Sequence, residues 1–359
     1  MRDVREELTE DHHDAVMAAD RVGADAPVEI RLARSDDARS LAGCFFNAYG
    51  PSYDHDWAYQ PDALVQRWAD GIMTSAVAVT PEGELIGHLA LDFLRPGAMV
   101  AESAHAVVDP RYRGHHLFET MKRFLCDQAR RQGLFGLYSE ATAAHPYSQK
   151  GNLAIGAHET GYLLGYIPSG VDYKRIKGEA AQHRQTIALM YLRTNDEPER
   201  VAHVPGAFRE IASGIFEAGG FRRTLGGGKG AAAPGETGLA VERDPDHDAA
   251  VLRAEALGPD LHAVVERELA TVLDAGVDCV YLDLPLADPA VAEHGADLHD
   301  LGFFFGCVIP ELREDGDVLR LQLLNGVDPH TDEVVTVSEF GHRLLADIVD
   351  SMPVAADGG

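Results

Sequence analysis

The sequence lacks any long hydrophobic run. Its longest apolar stretch, around Leu301 to Pro310, falls well short of the roughly 20 residues that a membrane-spanning helix needs. The opening residues, Met1 to Glu7, contain no apolar signal-peptide core. We therefore expect a cytoplasmic protein with no membrane partner. Because 359 residues exceed the usual size of a single core, we also expect two domains with flexible ends.

Positive charge is in short supply. The chain has 58 Asp plus Glu against 31 Lys plus Arg, a formal net charge of -27. Such a surface repels phosphate backbones and anionic lipids, which excludes nucleic acid and membrane surfaces as expected partners. Lysine is scarce relative to arginine, as in a high-GC genome or a salt-adapted bacterial or archaeal proteome. The composition does not distinguish these two origins.

Spacings typical of metal and disulfide sites are also missing. The four cysteines form no Cys-x-x-Cys pair and stand mostly in apolar segments, which predicts reduced core residues at Cys44, Cys126, Cys279 and Cys307. The adjacent histidines at 12–13 and 115–116 lack the i, i+4 spacing of helical metal ligands. We therefore predict no metal.

One glycine-rich stretch invites a phosphate-loop interpretation. Gly226-Gly-Gly-Lys229 is followed by Gly230, where such a loop needs Ser or Thr, and no strand pattern directly precedes it. We interpret residues 226–238 as a linker.

The remaining pattern alternates strands and helices. From Val28 to Leu192 the predicted order is β-α-α-β-β-β-α-β-α-β, with a helix that ends near Gly165. The second half repeats an α/β rhythm and includes a predicted helix from Ala249 to Ala275. We predict a mixed α/β fold in four parts: a charged extension (1–27), a first domain (28–195), a second domain (196–345) and a disordered tail (346–359).

The most informative segment is Val107 to Phe118, a strand that breaks at Pro110 and opens a helix through a basic turn. The first backbone N–H groups of such a helix are unpaired and lie at the positive end of its dipole. The turn is therefore a predicted anion site.

This segment resembles the cofactor signature of the GNAT superfamily of acyltransferases. The matching residues are Val108, Pro110, Arg113 and Gly114, whereas His116 and Phe118 stand where the family has glycines. The resemblance extends over about half the chain, roughly residues 28–193. It implies that the turn binds the pyrophosphate of acetyl-CoA or another acyl-CoA. The implied cofactor-binding residues are Val108, Arg113, Gly114, His115, His116, Leu117, Phe118 and Asn152.

The resemblance also implies smaller correspondences after the signature. Asn152 resembles the Asn that opens the next helix of the family, and Gly165-Tyr166 resembles the Gly-Phe that ends it. Tyr162 then stands close to the position of the tyrosine that protonates the departing thiolate. Its alternative role is an ordinary aromatic on a helix face.

The implied reaction is N-acetyl transfer to a small-molecule amine, by direct attack of the amine on the thioester. It needs a base for the ammonium proton and a donor for the thioester oxygen. Our candidate base is Glu140, with Glu102 in reserve. Strand alternation places Glu102 and His105 on opposite faces, because their separation is odd.

A polar loop follows the strand that carries Glu140. It contains His145, a further catalytic candidate, and Tyr147, a candidate for substrate binding. Its run His-Pro-Tyr-Ser-Gln-Lys resembles a bacterial subgroup of two-lobed GNAT-like proteins. The alternative is that His145 only caps the loop.

An aromatic loop from Tyr49 to Tyr59 occupies the place where the family's first helices wrap the acceptor. Its aromatic and acidic side chains suit a cationic amine, and the alternative is a packing loop. The candidate substrate-binding residues here are Tyr53, Asp54, Trp57 and Tyr59.

The second half repeats the closing unit of the family in Tyr281-Leu-Asp-Leu-Pro and in residues 298–305, without an Arg-Gly turn. We predict a degenerate second lobe that binds no cofactor and forms an intramolecular pseudo-dimer, with a homodimer as the alternative. Two other functions stay open: an acyl-CoA-binding regulatory protein, and a decarboxylase or acyl loader acting on carrier-protein thioesters.

Overall fold

The structure is a computed structural model that describes residues 1–23, 27–53, 55–169, 182–227, 235–245 and 247–353. The chain divides into two compact units, Met1–Ser139 and Glu140–Gly359. The lobe boundary predicted after residue 195 lies inside the second unit and stays a prediction. Within the described ranges, no helix has the length and apolar character to cross a bilayer.

The first unit confirms the predicted element order. Its helices and strands are α1 (Glu10–Ala18), β1 (Glu29–Leu32), α2 (Ala38–Tyr49), α3 (Pro61–Ala69), β2 (Met73–Val79), β3 (Leu85–Asp92), β4 (Val100–Val108), α4 (Leu117–Gln132) and β5 (Gly136–Thr142), which continues into the second unit.

In the sheet of the first unit, β4 and β5 pair over only part of their lengths. Strands β1 to β4 pair antiparallel in sequence order. Strand β5 runs parallel to β4, and the register joins residues 100–102 to residues 136–138. Beyond Glu102 the backbone of β4 leaves this pairing. Since alternate N–H groups of a strand point to each neighbour, those that face β5 beyond Glu102 lie outside the described β4–β5 register.

The core of the first unit lies under α2. Leu41 and Phe45, four residues apart on one helical face, are fully buried against Leu64 and Val77. Phe46 and Tyr59 complete this aromatic layer. The loop that precedes α3 is therefore attached to the core by its own aromatic side chains.

The second unit contains the remaining helices and strands. They are α5 (Tyr147–Ala154), β6 (His158–Ile167), β7 (Gln185–Arg193), β8 (Arg200–Ala202), α6 (Arg209–Ala218), β9 (Arg223–Leu225), β10 (Gly238–Asp244), β11 (Ala249–Ala256), α7 (Leu261–Asp274), β12 (Cys279–Pro285), α8 (Ala290–His294), β13 (Phe304–Arg313), β14 (Gly316–Leu324) and α9 (Glu339–Asp350).

The main sheet of this unit has the strand order β7-β6-β13-β14-β12-β11-β10. Only β11 and β12, which α7 connects, run parallel to each other within it, and the other described pairs are antiparallel. Strands β8 and β9 form a separate parallel pair. The mixed α/β class predicted from the sequence is confirmed.

The helix predicted to end near Gly165 is wrong. Residues 158–167 form strand β6, and Gly165 lies at an irregularity of that strand with φ +62°. Strand residues 159–165 are all buried, and a continuous apolar run does not reveal by its period whether it is a buried strand or a buried helix.

The helix predicted from Ala249 is also wrong in its first part, because residues 249–256 form β11 and the helix begins at Leu261. The alanines favour a helix locally, but Ala250, Leu252 and Ala254 are buried at every second position, as in a strand. The tail predicted as disordered from residue 346 is wrong through Asp350, where α9 ends. Residues 354–359 and most of the predicted 226–238 linker lie outside the described residues.

The prediction for the cysteines is confirmed. All four are buried free thiols. Burial raises the pKa of each thiol, so these residues stay protonated packing groups and not nucleophiles.

A close backbone contact between β6 and β13 yields a first prediction. A Cβ on Gly161 would lie 2.2 Å from Cβ of Cys307 and 2.3 Å from the carbonyl oxygen of Gly306. Because the backbone cannot yield there, we expect Gly161→Ala to lower the free energy of unfolding by about 3 kcal/mol. The melting temperature in scanning calorimetry measures this loss.

Gly151→Ala is the matched control. Gly151 lies inside α5, and no atom lies within 4 Å of its added Cβ. We expect a gain of up to about 1 kcal/mol, because alanine has the higher helix propensity. Equal melting temperatures for Gly161→Ala and Gly151→Ala would contradict the close contact between β6 and β13.

Candidate active site

The turn from β4 to α4 is organised around the buried carboxylate of Asp109. It accepts hydrogen bonds from the backbone N–H of Arg111 at 3.0 Å, the Arg111 guanidinium at 2.8 and 2.9 Å and Asn47 Nδ2 at 3.1 Å. Burial alone would raise the pKa of Asp109, but these bonds hold it below its ordinary value. The ionised carboxylate thus fixes the turn to α2.

This turn forms a cavity of about 330 Å³ at the start of α4. Six of the seven turn residues predicted from the signature line it, joined by Tyr112, which the sequence analysis missed. These residues are Val108, Tyr112, Arg113, Gly114, His116, Leu117 and Phe118. The cavity faces the N-terminus of a 16-residue helix, where free amides and the helix dipole favour an anion.

His116 has a backbone conformation that glycine adopts more readily than any other residue. Its φ is +56° and its ψ is +21°, in the left-handed region that glycine occupies most readily. Its side chain is exposed, so the imidazole does not fill the turn. The histidine therefore allows a left-handed backbone at this position, and its side chain does not occupy the turn.

His115 differs from the other signature residues. Its Nε2 lies 3.0 Å from the carbonyl oxygen of Val22, whose N–H donates to the carbonyl of Arg111. The charged extension is thus attached beside the turn, and the predicted cofactor role of His115 stays a prediction.

Strand β4 contains a bulge at His105, whose φ is +56°. The carbonyl oxygen of His105 accepts a hydrogen bond from Nδ1 of His88 at 2.8 Å, and Nε2 of His88 lies 2.7 Å from Oγ of Ser75. Because a carbonyl only accepts, Nδ1 of His88 carries the proton. Burial lowers the pKa of His88 to about 3, so this buried imidazole is neutral.

The bulge brings the His105 ring into a chain of three polar groups. Its Nε2 lies 2.8 Å from Oδ2 of Asp92, and its Nδ1 lies 3.1 Å from the hydroxyl of Tyr53. Arg67 also pairs with Asp92 at 2.8 Å. Burial alone would raise the pKa of Asp92, but the bonds from His105 and Arg67 keep it below its ordinary value. The carboxylate accepts from Nε2–H, which leaves Nδ1 as the basic nitrogen.

The predicted opposition of Glu102 and His105 is wrong. Glu102 is the cross-strand partner of Asp92, and directly opposite residues share one face of a sheet. His105 reaches Asp92 on that same face, because it lies in the bulge between Ala104 and Val107, where the regular alternation of the strand is interrupted. Both side chains therefore lie on the side of β4 that faces α2.

The aromatic loop packs onto this same face. The Trp57 ring lies 4.7 Å from the His105 ring, and the Arg67 guanidinium lies 4.6 Å from the Trp57 centroid. A cation of the protein thus already occupies one face of Trp57. Tyr59 is fully buried, with its hydroxyl bonded to the carbonyl of Gly50 at 2.7 Å. Tyr53 and Trp57 lie beside His105, their role in substrate binding stays a prediction, and Asp54 lies outside the described residues.

Lys122 lies buried on α4, where it contacts strand β5. Its Nζ donates to Oγ of Ser139 at 2.8 Å and lies 5.9 Å from the centroid of the Phe118 ring, which lines the cavity. Burial lowers its pKa to about 8, despite the opposing charge of Glu102. The sequence pattern of α4 contained no signal for this buried amine.

The predicted site residues Glu140, His145 and Tyr147 belong to the second unit, where the surroundings of Glu140 differ from those of the other two. Glu140 lies beside Tyr166 and the charges of Arg320, His247 and Asp244, and burial raises its pKa. His145 lies with its ring 5.2 Å from that of Tyr147, and burial lowers its pKa. Tyr147 is exposed.

Asn152 and Tyr162 do not have the predicted local structure. Asn152 lies inside α5, where its Nδ2 donates to the carbonyl of Ser148 at 3.0 Å, and it does not open the helix. Tyr162 lies on β6 and not on a helix face, with a fully buried hydroxyl that has no hydrogen-bond partner among the described residues. Burial raises the pKa of Tyr162, so it is a phenol. Their functional roles stay predictions.

Asp92 and the role of Tyr53 as a partner of His105 were missed by the sequence analysis. Asp92 is the last residue of β3, and polar residues at strand ends are a weak signal. The decisive feature is the bulge, which no residue type in Ser-Ala-His-Ala announces.

Comparison with known proteins gives structural matches alone. No protein-family model and no curated protein sequence matches the chain. A ribosomal-protein-S5-alanine acetyltransferase from Vibrio fischeri is 18% identical, with a TM-score of 0.38, over 48% of this chain and 96% of that one. A GNAT superfamily phosphinothricin acetyltransferase from Sinorhizobium meliloti, in complex with acetyl-CoA, is 16% identical, with a TM-score of 0.36, over 46% and 88%. A spermidine/spermine N-acetyltransferase from Vibrio cholerae is 16% identical, with a TM-score of 0.37, over 46% and 94%.

Over about half its length, the chain is similar to solved GNAT acetyltransferases. The predicted resemblance is thereby confirmed, and the two-lobed arrangement stays a prediction. At these identities and TM-scores the likeness carries no information about the reaction, which has to follow from this chain's own residues.

The left-handed backbone of His116 gives a second prediction. Gly and Ala both remove the imidazole, but only Gly adopts this conformation without strain. We expect His116→Gly to be more stable than His116→Ala by about 1 kcal/mol, measured by thermal unfolding. Equal stabilities would contradict the backbone conformation. If amides hold the cofactor, the Gly variant also keeps the CoA affinity of the wild type in titration calorimetry.

The lowered pKa of Lys122 gives a third prediction. Between pH about 8 and its ordinary value of 10.5, the unfolded chain holds a proton on this residue that the folded chain lacks. Stability therefore rises with pH across this window, by up to about 3 kcal/mol from this group. Lys122→Met lacks that gain, so the variant's stability relative to the wild type should be highest below pH 8 and fall towards pH 10.5. Urea unfolding at several pH values measures the difference, and a constant difference would contradict the lowered pKa.

Proposed function

We propose that the chain is an acyl-CoA-dependent N-acyltransferase that transfers an acetyl group to a small-molecule amine. The observation that carries the proposal is the occurrence, in one unit, of an anion-binding helix start at Gly114–Phe118 and a Tyr53–His105–Asp92 chain on the strand that leads into it. Both features belong to β4, so one strand positions the cofactor and the base.

The cofactor site rests on the turn. The amides at the start of α4 would hold the pyrophosphate of acetyl-CoA, while Arg113 and the helix dipole supply positive charge. The charge of Arg111 is balanced by Asp109 and by Glu84. The acyl arm would extend along β4 where it leaves β5, and the outward N–H groups of β4 would donate to the thioester oxygen.

The base is His105. Tyr53 takes the proton of the attacking ammonium on its oxygen as it passes its own proton to Nδ1 of His105. The resulting imidazolium is stabilised by the Asp92 carboxylate on Nε2. The neutral amine then attacks the carbonyl carbon, the C–S bond breaks, and the departing CoA thiolate takes up the second proton that the amine nitrogen loses as the amide forms. Glu102, on the same face, is the second candidate base in this unit.

The other site predictions keep a place in the proposal. The net charge of -27 favours a cationic acceptor, and Trp57 would contact its apolar part. The roles predicted for Glu140, His145, Tyr147, Asn152 and Tyr162 remain proposals. Tyr59 is better explained as the residue that fixes the aromatic loop.

A degenerate second lobe over residues 196–345 is supported by topology. The antiparallel pair β10–β11, the helix α7 and the parallel strand β12 repeat the order of β3, β4, α4 and β5. At the start of α7, however, stands Asp260, whose Oδ1 accepts from the N–H of Thr237 at 2.8 Å. A carboxylate at that helix start repels a phosphate, so we propose that this lobe binds no cofactor.

The test combines binding and turnover. Titration calorimetry with acetyl-CoA should show one site per chain, and a panel of amines should give thiol release. His105→Ala and Tyr53→Phe should each lower the rate of release by about 100-fold or more, with acetyl-CoA affinity unchanged. His342→Ala, which removes an exposed imidazole from α9, is the control and should match the wild type.

Three outcomes would count against the proposal. Absence of acetyl-CoA binding would contradict both the enzyme and an acyl-CoA-binding regulator. Binding without thiol release would favour the regulator. Carbon dioxide release from a malonyl thioester without an amine would favour the decarboxylase or acyl loader.

A further inference from the structure

Two histidines and a glutamate converge in the second unit, outside the site proposed above. The candidate ligand atoms of His183, His330 and Glu333 all lie within 4.8 Å of one another. We propose that these three side chains bind a divalent transition-metal ion. The imidazole and carboxylate donors fit Zn²⁺ and its neighbours better than Ca²⁺ or Mg²⁺, which prefer all-oxygen sites.

Two of the ligands come from one short turn. The N–H of His330 donates to Oδ1 of Asp328 at 2.9 Å, and His330 has φ +42°, in the left-handed region. The next three residues form a single 3₁₀ turn, closed by a bond from the N–H of Glu333 to the carbonyl of His330 at 3.0 Å. His330 thus caps the turn that Glu333 ends, and the two side chains start from adjoining parts of one closed turn.

The third ligand stands next to an anchored residue. The Arg184 guanidinium donates to the carbonyls of Gly165 at 2.6 Å and His247 at 2.7 Å, and pairs with Asp278 at 3.1 Å. These bonds fix the backbone at the start of β7, directly after His183. They also turn the positive charge of Arg184 towards other partners.

The segment that carries His330 and Glu333 is fastened to the same part of the unit. The N–H of Val335 donates to the carbonyl of Ala143 at 2.8 Å, and the N–H of Ala143 donates to the carbonyl of Thr186. Gln149 Nε2 adds a bond to the carbonyl of Val335 at 2.8 Å. The main chains on both sides of the cluster are therefore positioned by hydrogen bonds that do not depend on a metal.

The charges and ring positions fit a cation. The His183 and His330 rings lie 3.8 Å apart between centroids, where two imidazolium ions would repel each other. To bind one ion, the two rings would turn from this arrangement so that each directs one ring nitrogen at the metal, and Glu333 would supply the anionic ligand. Asp328, whose Oδ1 lies 4.0 Å from Nδ1 of His330, is close enough to orient the ring from outside.

The distances require a small closure on binding. Tetrahedral zinc with bonds of about 2.0–2.2 Å places its ligand atoms about 3.4 Å apart. Since His183 and Glu333 are exposed, rotation of their side chains can supply the remaining ångström or so. A cavity of about 220 Å³ adjoins the cluster, lined by Ala144, Thr186 and Val334 among others, and gives room for a fourth ligand such as water.

This site was not predicted from the sequence, because the spacing rule for metal ligands looks along one helix. His183 and His330 are far apart in the chain, and neither has a His or Cys partner at i, i+4 spacing. The ligands meet only through the fold of the second unit.

The test is a Zn²⁺ titration of the full chain by calorimetry, after treatment with a chelator. One Zn²⁺ per chain should bind, and His330→Ala, His183→Ala and Glu333→Gln should each weaken binding by at least about tenfold. His342→Ala removes another exposed histidine of the second unit, on α9, and should bind as the wild type does. Zn²⁺ should raise the melting temperature of the wild type and the control but not of the three cluster variants.

Two results would overturn the proposal: no stoichiometric binding to the wild type, or equal affinities for the cluster variants and the control. The metal-free melting temperatures of His183→Ala, Glu333→Gln and His342→Ala should equal that of the wild type, since these side chains are exposed, and that of His330→Ala, whose side chain is partly buried, should fall only slightly. This readout needs no acyltransferase activity, so the metal site and the proposed function can fail independently.

Discussion

The hydrogen bond from His88 to the carbonyl of His105 is the interaction on which the candidate site depends. It holds a bulge in β4 that turns the His105 side chain onto the face of Asp92 and Tyr53. Without the extra residue of the bulge, strand alternation would direct His105 away from both partners. The buried neutral His88 is suited to this task because its desolvated ring gains a partner on each nitrogen. The buried imidazole of His88 thus positions the imidazole of His105, which is the proposed base.

A second constraint acts a few residues later, where Asp109 fixes the turn into α4. The family signature places glycines at this helix start, and the chain instead has His116 and Phe118. The backbone at His116 has the left-handed conformation that glycine adopts most readily, and the side chain of that residue points into solvent. Anion binding by backbone amides depends on the path of the main chain and not on side-chain identity. The replacement therefore changes the strain of the turn more than its chemistry.

The features that the sequence predicts depend on residues close together in the chain, whereas the features that it does not predict depend on contacts between distant residues. The bounds of α4 follow from local signals, a Pro-interrupted turn before Leu117 and Gly133 after Gln132, and the structure has them at those residues. Strand β6 could not be told from a helix, because its burial on both faces removes the period. The chain from Tyr53 through His105 to Asp92 and the cluster of His183 with His330 join residues that are distant in sequence. No local pattern specifies such contacts.

The helices of the two parallel crossovers, α4 between β4 and β5 and α7 between β11 and β12, begin in surroundings of different charge. At α4, Arg113 and the positive end of the dipole lie around a cavity, with Asp109 directed into the protein towards Arg111 and Asn47. At α7, the carboxylate of Asp260 occupies the corresponding position, and its pKa is lowered chiefly by the backbone N–H of Thr237. An ionised Asp at a helix start satisfies the dipole that an anionic ligand would otherwise use. In this strongly acidic chain the start of α4 is therefore lined by positive charge, whereas the carboxylate of Asp260 already balances the dipole at the start of α7.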